Sequence, residues 1–202
     1  MKYLRQTINS SIVPALIVML YANCLWATDV GGIINTNITW SLANSPYRIM
    51  GDVQLAYGAK LTIEPGVVVN GEGFAIRVFG NLNAIGSNTS NITFNNVKIE
   101  PGNNSSSEPY LIDVQFSKIN GGEIYYPNGN GIYGSLVLRD SKLQNTPYIY
   151  LWYPVSNCYI ERNIFSNTGG ISVGVNRAGS EGTSVYIRNN IFYNQTEYAI
   201  YI

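Results

Sequence analysis

The chain has 202 residues, 46% hydrophobic and only 12% charged, with twelve basic side chains against twelve acidic ones. That is enough apolar material to bury a real core in one domain, while the even charge balance provides no basic field to hold nucleic acid or anionic lipid. The sequence contains no histidine, which excludes His-based triads, His-ligated metals and imidazole acid–base catalysis.

Residues 1–27 have the layout of a secretory signal peptide. Lys2 and Arg5 give a positive start, residues 12–27 (IVPALIVMLYANCLWA) form a short apolar run, and Ala27 is a small residue at the cleavage point. The run is short and is interrupted by Pro14 and Asn23, which argues against a membrane span; an uncleaved N-terminal anchor is the rival reading. Cleavage after Ala27 removes Lys2, Arg5 and Cys24, leaving ten basic groups against twelve acidic ones and a net charge of about −2. One thiol then remains, Cys158, so the chain is no disulfide scaffold. The expectation is a secreted or cell-surface protein with no membrane span once the leader is gone.

Residues 28–48, with Trp40 and Pro46, read as a cap segment over the first coil of a repeat domain covering 49–202. VQL (53–55), LTI (61–63) and VVV (67–69) are short strands separated by Gly-bearing turns. IRV (76–78), LNA (82–84) and ITF (92–94) repeat them at steps of 23, 21 and 25 residues. Later rows align on Ile92, Val114, Leu138, Ile160 and Ile187, at steps of 22, 24, 22 and 27. Five positions on stand Val97, Ile119, Leu143, Phe165 and Phe192; three positions on stand Asn95, Ser117, Ser141, Asn163 and Asn190. Two positions before come Ser90, Ile112, Leu136, Cys158 and Val185.

Positions −2 and 0 have the period of two that marks one face of a strand. The small polar residue at +3 is expected to bend the chain, and +5 returns it to the interior. No helical period runs long enough for a helical repeat. Strands that meet their counterparts in the next row must run parallel and be buried within the coil. The pattern therefore predicts an all-β, single-stranded, right-handed parallel β-helix of about seven coils of roughly 22 residues. The near-identical decads YIERNIFSNT (159–168) and YIRNNIFYNQ (186–195) are then the same corner of neighbouring coils. EPGNNSSSEP (100–109) reads as a polar loop leaving the coil. The chain stops at YAIYI (198–202), in what reads as a strand with no polar cap. That ending suits a fragment of a longer protein, or an end covered by another chain through end-to-end association.

GGIINTNITW (31–40), SPYRIMGDVQLAYGAKLTIEPGVVV (45–69), IRVFGNLNAIGS (76–87) and ITF (92–94) resemble the opening of secreted right-handed β-helix proteins of the pectate-lyase-like superfamily. The NNIFYN (189–194) rows are similar to that superfamily's generic coils. The resemblance covers nearly the whole mature chain and implies the fold. It does not fix an activity, because such rods serve lyases, glycoside hydrolases and adhesins.

Two constellations are candidates for function. Arg139, Asp140, Glu161 and Arg188 fall together on an outer face of the last three rows. There the arginines are either grips for uronate carboxylates or members of an exposed ion-pair ladder, the commoner case. Resemblance to pectate lyases implies calcium bound by several carboxylates, but here only Asp140 and Glu161 adjoin. A hydrolase needs carboxylates converging on one cleft, and Asp113 is the nearest third. The second candidate is PYIYLWYP (147–154). If Ile149 and Leu151 face inward, alternation turns Tyr148, Tyr150 and Trp152 outward, with Tyr125 aligned to Tyr150 and Ile124 beneath Ile149. Such a row suits stacking on sugar rings; the alternative is ordinary packing. Cys158, in the inward −2 column, reads as a small buried hydrophobe rather than a nucleophile.

The leading expectation is a non-catalytic glycan-binding module, or part of a larger surface protein, with no cofactor and no metal. The alternatives are an acidic-polysaccharide lyase or glycoside hydrolase, with calcium under the lyase reading only, and a purely structural or adhesive rod.

Overall fold

A computed structural model describes residues 26–102, 110–125, 134–152, 154, 156–174 and 182–202. Among these the chain is nearly all strand, with one short 3-10 turn at Leu42–Asn44. Strand β1 (Thr28–Ile34) leads into a first turn of β2 (Ile38–Trp40) and β3 (Tyr47–Leu55). The second turn holds β4 (Lys60–Ile63), β5 (Val68–Asn70) and β6 (Ala75–Val78); the third holds β7 (Asn81–Ile85), β8 (Ile92–Asn95) and β9 (Lys98–Pro101). Next come β10 (Tyr110–Gln115), β11 (Ser117–Asn120) and β12 (Glu123–Tyr125), then β13 (Gly134–Arg139), β14 (Lys142–Gln144) and β15 (Ile149–Trp152). The final two rungs are β16 (Cys158–Glu161), β17 (Ile164–Ser166) and β18 (Ile171–Gly174), and β19 (Val185–Arg188), β20 (Ile191–Tyr193) and β21 (Ile200–Tyr201).

These strands stack on three faces. Face one is a 7-stranded sheet in the order β19-β16-β13-β10-β7-β4-β2. Face two stacks β20, β17, β14, β11, β8 and β5 on the first half of β3, and face three stacks β6, β9, β12, β15, β18 and β21 on its second half. The long strand β3 thus turns a corner and joins both faces into one sheet. The stack is a parallel β-solenoid of about six turns, close to the coil number the repeat predicts. Residues 28–48 are built into it: β1 pairs along β3, β2 pairs with β4, and the Trp40 ring lies 4.8 Å from Tyr47.

Register follows side-chain size. On face one Trp40, Ile63, Ala84, Val114, Leu138, Ile160 and Ile187 stand above one another. On face two the inward column is Tyr47, Val69, Phe94, Ile119, Leu143, Phe165 and Phe192. The last two rings are stacked 4.7 Å apart. A slip of one residue in any rung would turn its whole apolar set to water, so these columns hold the alignment of every rung.

The sequence alignment is corrected at one row and one position. Ile92 lies on face two opposite Ser117, and Ala84 of β7 takes the expected place of Ile92 on face one. Asn95 and Val97 leave their predicted columns with it. The cause is corner length. In this coil residues 86–91 form a longer turn, closed by backbone bonds between Ser87 and Ser90, whereas later coils turn over one or two residues. The bend itself sits at +2 rather than +3. Phe116, Asp140, Arg162 and Asn189 all have φ between 48° and 57°, and at the next corner Asn96, Asn145, Asn167 and Asn194 repeat the conformation. This left-handed region costs an ordinary side chain about 1–2 kcal/mol and is most tolerable for Gly, Asn and Asp, which explains the asparagine-rich corners.

The +3 residue has a different task. Its side chain turns into the wall and ties rung to rung. Asn163, fully buried, accepts the Ser141 N–H at 3.0 Å and donates to the Leu138 carbonyl at 2.9 Å. Asn190 accepts the Asn163 backbone N–H at 2.9 Å in the same way. A second ladder runs Asn70–Asn95–Asn120, with amide bonds of 2.9 and 3.1 Å. Asn163→Ala orphans a buried N–H and a buried carbonyl and is expected to cost roughly 2–5 kcal/mol. Thermal denaturation followed by circular dichroism should register a Tm lower by roughly 5–15 °C.

Candidate functional site

The second constellation builds a cleft on face three. Ile149 and Leu151 are buried, so alternation along β15 turns Tyr150 outward. Register then fixes its neighbours: Tyr125 on one side, Ser172 on the other, and Tyr201 beyond Ser172. The Tyr125 and Tyr150 rings stack with centroids 5.5 Å apart and planes inclined by 26°. Ser172 interrupts the aromatic column and leaves a gap of one rung between Tyr150 and Tyr201.

The sides of the gap come from the corners. Tyr148 precedes β15, and its hydroxyl donates a hydrogen bond to the Glu197 carboxylate, which raises the phenol pKa above its ordinary value. Tyr198, before β21, lies 6.0 Å from Tyr201, ring to ring. Two glycines make this packing possible. A Cβ at Gly169 would fall 1.8 Å from the Pro147 carbonyl oxygen and 2.6 Å from the Tyr148 ring. Gly170 has φ +88°, and a Cβ there would meet the Tyr198 carbonyl oxygen at 2.1 Å. The cleft is open to solvent on one side and has a volume of about 400 Å³, within the range of small-ligand sites.

Three of the four predicted aromatic residues, Tyr125, Tyr148 and Tyr150, line this cleft. The side chain of Trp152 lies outside the described residues. Sequence reading missed Ser172, Glu197, Tyr198 and Tyr201. The signal lies in the register: a small residue in an aromatic column marks a gap, whereas YAIYI (198–202) by itself shows only a strand pattern.

The first constellation also assembles. Arg139, Glu161 and Arg188 are consecutive in one outward column of face one. The Glu161 side chain is only 6% exposed. It accepts from Arg139 Nε at 2.9 Å and from Arg188 Nε at 2.8 Å, with Arg188 Nη2 also in contact. Arg162 grips Asp140 with a fork of 2.8 and 2.7 Å. The Tyr159 and Tyr186 rings stack 5.1 Å apart in the adjacent column, with the Arg139 and Arg188 guanidinium groups 5.0 and 5.1 Å from their centroids. Asp113 takes a hydrogen bond from Gln115 instead of joining the cluster. The cations are thus engaged by carboxylates and aromatic faces, the arrangement of a ladder that staples three rungs. Among the described residues no group of three or more acidic or Cys side chains is placed to hold a metal ion. Cys158 is buried, and burial pushes its thiol up to about 11, so it is a neutral core residue.

Hydrogen bonds from Arg188 and Arg139 hold the Glu161 carboxyl below its ordinary pKa, and Arg162 does the same for Asp140. A carboxyl whose folded pKa lies below its unfolded value stabilises the fold fully above the unfolded value, about 4. That contribution is lost as pH falls through the lowered folded pKa. Glu161→Gln is therefore expected to lower Tm near pH 7 and to flatten its decline as pH falls below about 5, as read by differential scanning fluorimetry across pH. An unchanged acid limb would remove the ladder from the stability of the coil.

No protein-family model, no curated protein and no solved structure matches the chain, so the geometry and chemistry of the two constellations carry the functional reading.

Proposed function

We propose that the protein is a non-catalytic glycan-binding β-helix module of the cell exterior, exported through its N-terminal segment and related in its coils to the pectate-lyase-like superfamily. The carrying observation is the tyrosine cleft of face three, where Tyr150 and Tyr201 stand two rungs apart across Ser172. Adjacent rungs are about 4.8 Å apart, so the two rings bracket a slot about 9–10 Å across. One sugar ring fits such a slot with its C–H faces against both aromatics. The Ser172 hydroxyl, the phenols and Glu197 supply the polar partners that fix orientation.

Catalysis is poorly served in the same cleft. Glycoside hydrolysis ordinarily needs two carboxyl groups flanking the bond, and Glu197 is the one carboxylate among the described lining residues. The lyase or hydrolase reading centred on Arg139, Asp140, Glu161 and Arg188 has no comparable support, since Glu161 is bonded by Arg139 and Arg188 and Asp140 by Arg162.

Screening the protein on a glycan array, then titrating hits by isothermal calorimetry, tests the proposal. Specific glycans are expected to be retained, and Tyr150→Ala is expected to weaken them at least about tenfold, the loss of one stacking face. No retained glycan, or affinity indifferent to Tyr150→Ala, would refute cleft binding. Reducing or unsaturated ends released from pectin or alginate would refute the non-catalytic assignment.

A further inference from the structure

The cleft has a charge preference as well as a shape. Among its described lining residues Glu197 is the one charged group. Elsewhere on face three the described cations are already spoken for: Arg77 pairs with Asp52 and Glu100 at 2.8 Å each, and Lys98 pairs with Glu123 at 3.4 Å. A uronate placed over Ser172 would therefore meet a carboxylate, with no unpaired guanidinium on this face among the described residues to offset it. The tyrosine faces add to the same bias, because an aromatic ring presents negative charge to whatever stacks on it. A cation over Ser172 lies about one rung from both the Tyr150 and Tyr201 rings, inside the roughly 6 Å reach of a cation–π contact.

Glu197 also has acceptor capacity to spare. Tyr148 donates one hydrogen bond to it, while a carboxylate offers about four lone-pair sites. An ammonium donates three hydrogen bonds, and the Ser172 hydroxyl at the floor of the slot offers another acceptor. Packing fixes the position of this group from below: Gly169 and Gly170 seat Tyr148 and the backbone of Tyr198 at distances no Cβ would allow.

We propose that the ligand is an amino sugar with a free protonated amine, a polymer or oligomer of de-N-acetylated hexosamine, its amine held between Glu197 and the faces of Tyr150 and Tyr201. This rests on the glycan-binding reading and narrows it: acidic polymers are repelled, and an N-acetyl group, neutral and bulky, forfeits both the ion pair and the cation–π contacts.

Calorimetric titration of the protein with a glucosamine tetramer and with the N-acetylglucosamine tetramer, at about pH 5.5 where the amine is charged, separates the two layers of the argument. The glucosamine tetramer is expected to bind at least about tenfold more tightly. Glu197→Gln should abolish that difference, while Glu72→Gln, an exposed acidic position outside the cleft, should leave it intact. Equal affinity for both tetramers, or a preference that survives Glu197→Gln, overturns the amine inference. If Tyr150→Ala still weakens binding in that case, glycan binding itself stands. Failure of both tetramers and of every other glycan to bind overturns the cleft reading and this inference together.

Discussion

The structure depends on one interaction, the in-register parallel pairing of each rung with the rung two dozen residues earlier. Everything else is a consequence of keeping that register. Inward columns such as Val114, Leu138 and Ile160 make a slip costly, because it would expose a whole apolar set. The buried amides at the +3 positions add directional bonds along the stack. Asn163 reaches both up and down, to Leu138 in one neighbouring rung and Asn190 in the other. The result is a scaffold in which outward residues far apart in sequence become neighbours about 4.8 Å apart.

That scaffold writes both surface constellations. Where the outward column alternates in charge, as at Arg139, Glu161 and Arg188, neighbours neutralise each other and the rungs are stapled. Where it is aromatic and broken by one small residue, as at Tyr150, Ser172 and Tyr201, neighbours cannot close the gap and a slot opens. The same periodic geometry thus yields a closed ladder on one face and an open cleft on another. The difference is decided by side-chain size and charge at single positions.

Much of this was legible in the sequence because a solenoid makes spacing equivalent to contact. The triplets 53–55, 61–63 and 67–69 do lie beneath 76–78, 82–84 and 92–94, and Tyr125 does lie beside Tyr150. The misplacement of Ile92 arose where a corner lengthened, since a fixed offset carries no knowledge of loop length. Asn and Ser at +3 look like turn residues and so point to a bend there. In fact Phe116 and Arg162, which give no turn signal, adopt the left-handed conformation at +2 because the rungs on either side dictate it. The cleft was half visible. Its aromatic wall follows from alternation, but Glu197 and Tyr198 reach it from a corner whose path periodicity does not specify.

Cysteine cross-linking of outward positions tests the stacking most directly. Thr62 and Asn83 are register partners on face one, whereas Gln54 lies on face three though closer to Thr62 in sequence. Rung spacing of about 4.8 Å falls within the Cα separations that a disulfide spans. Thr62→Cys with Asn83→Cys should oxidise to an intramolecular bond joining positions 62 and 83, seen by peptide mapping, while Thr62→Cys with Gln54→Cys should stay reduced. A bond between positions 62 and 54 but none between 62 and 83 would contradict the stacked coil.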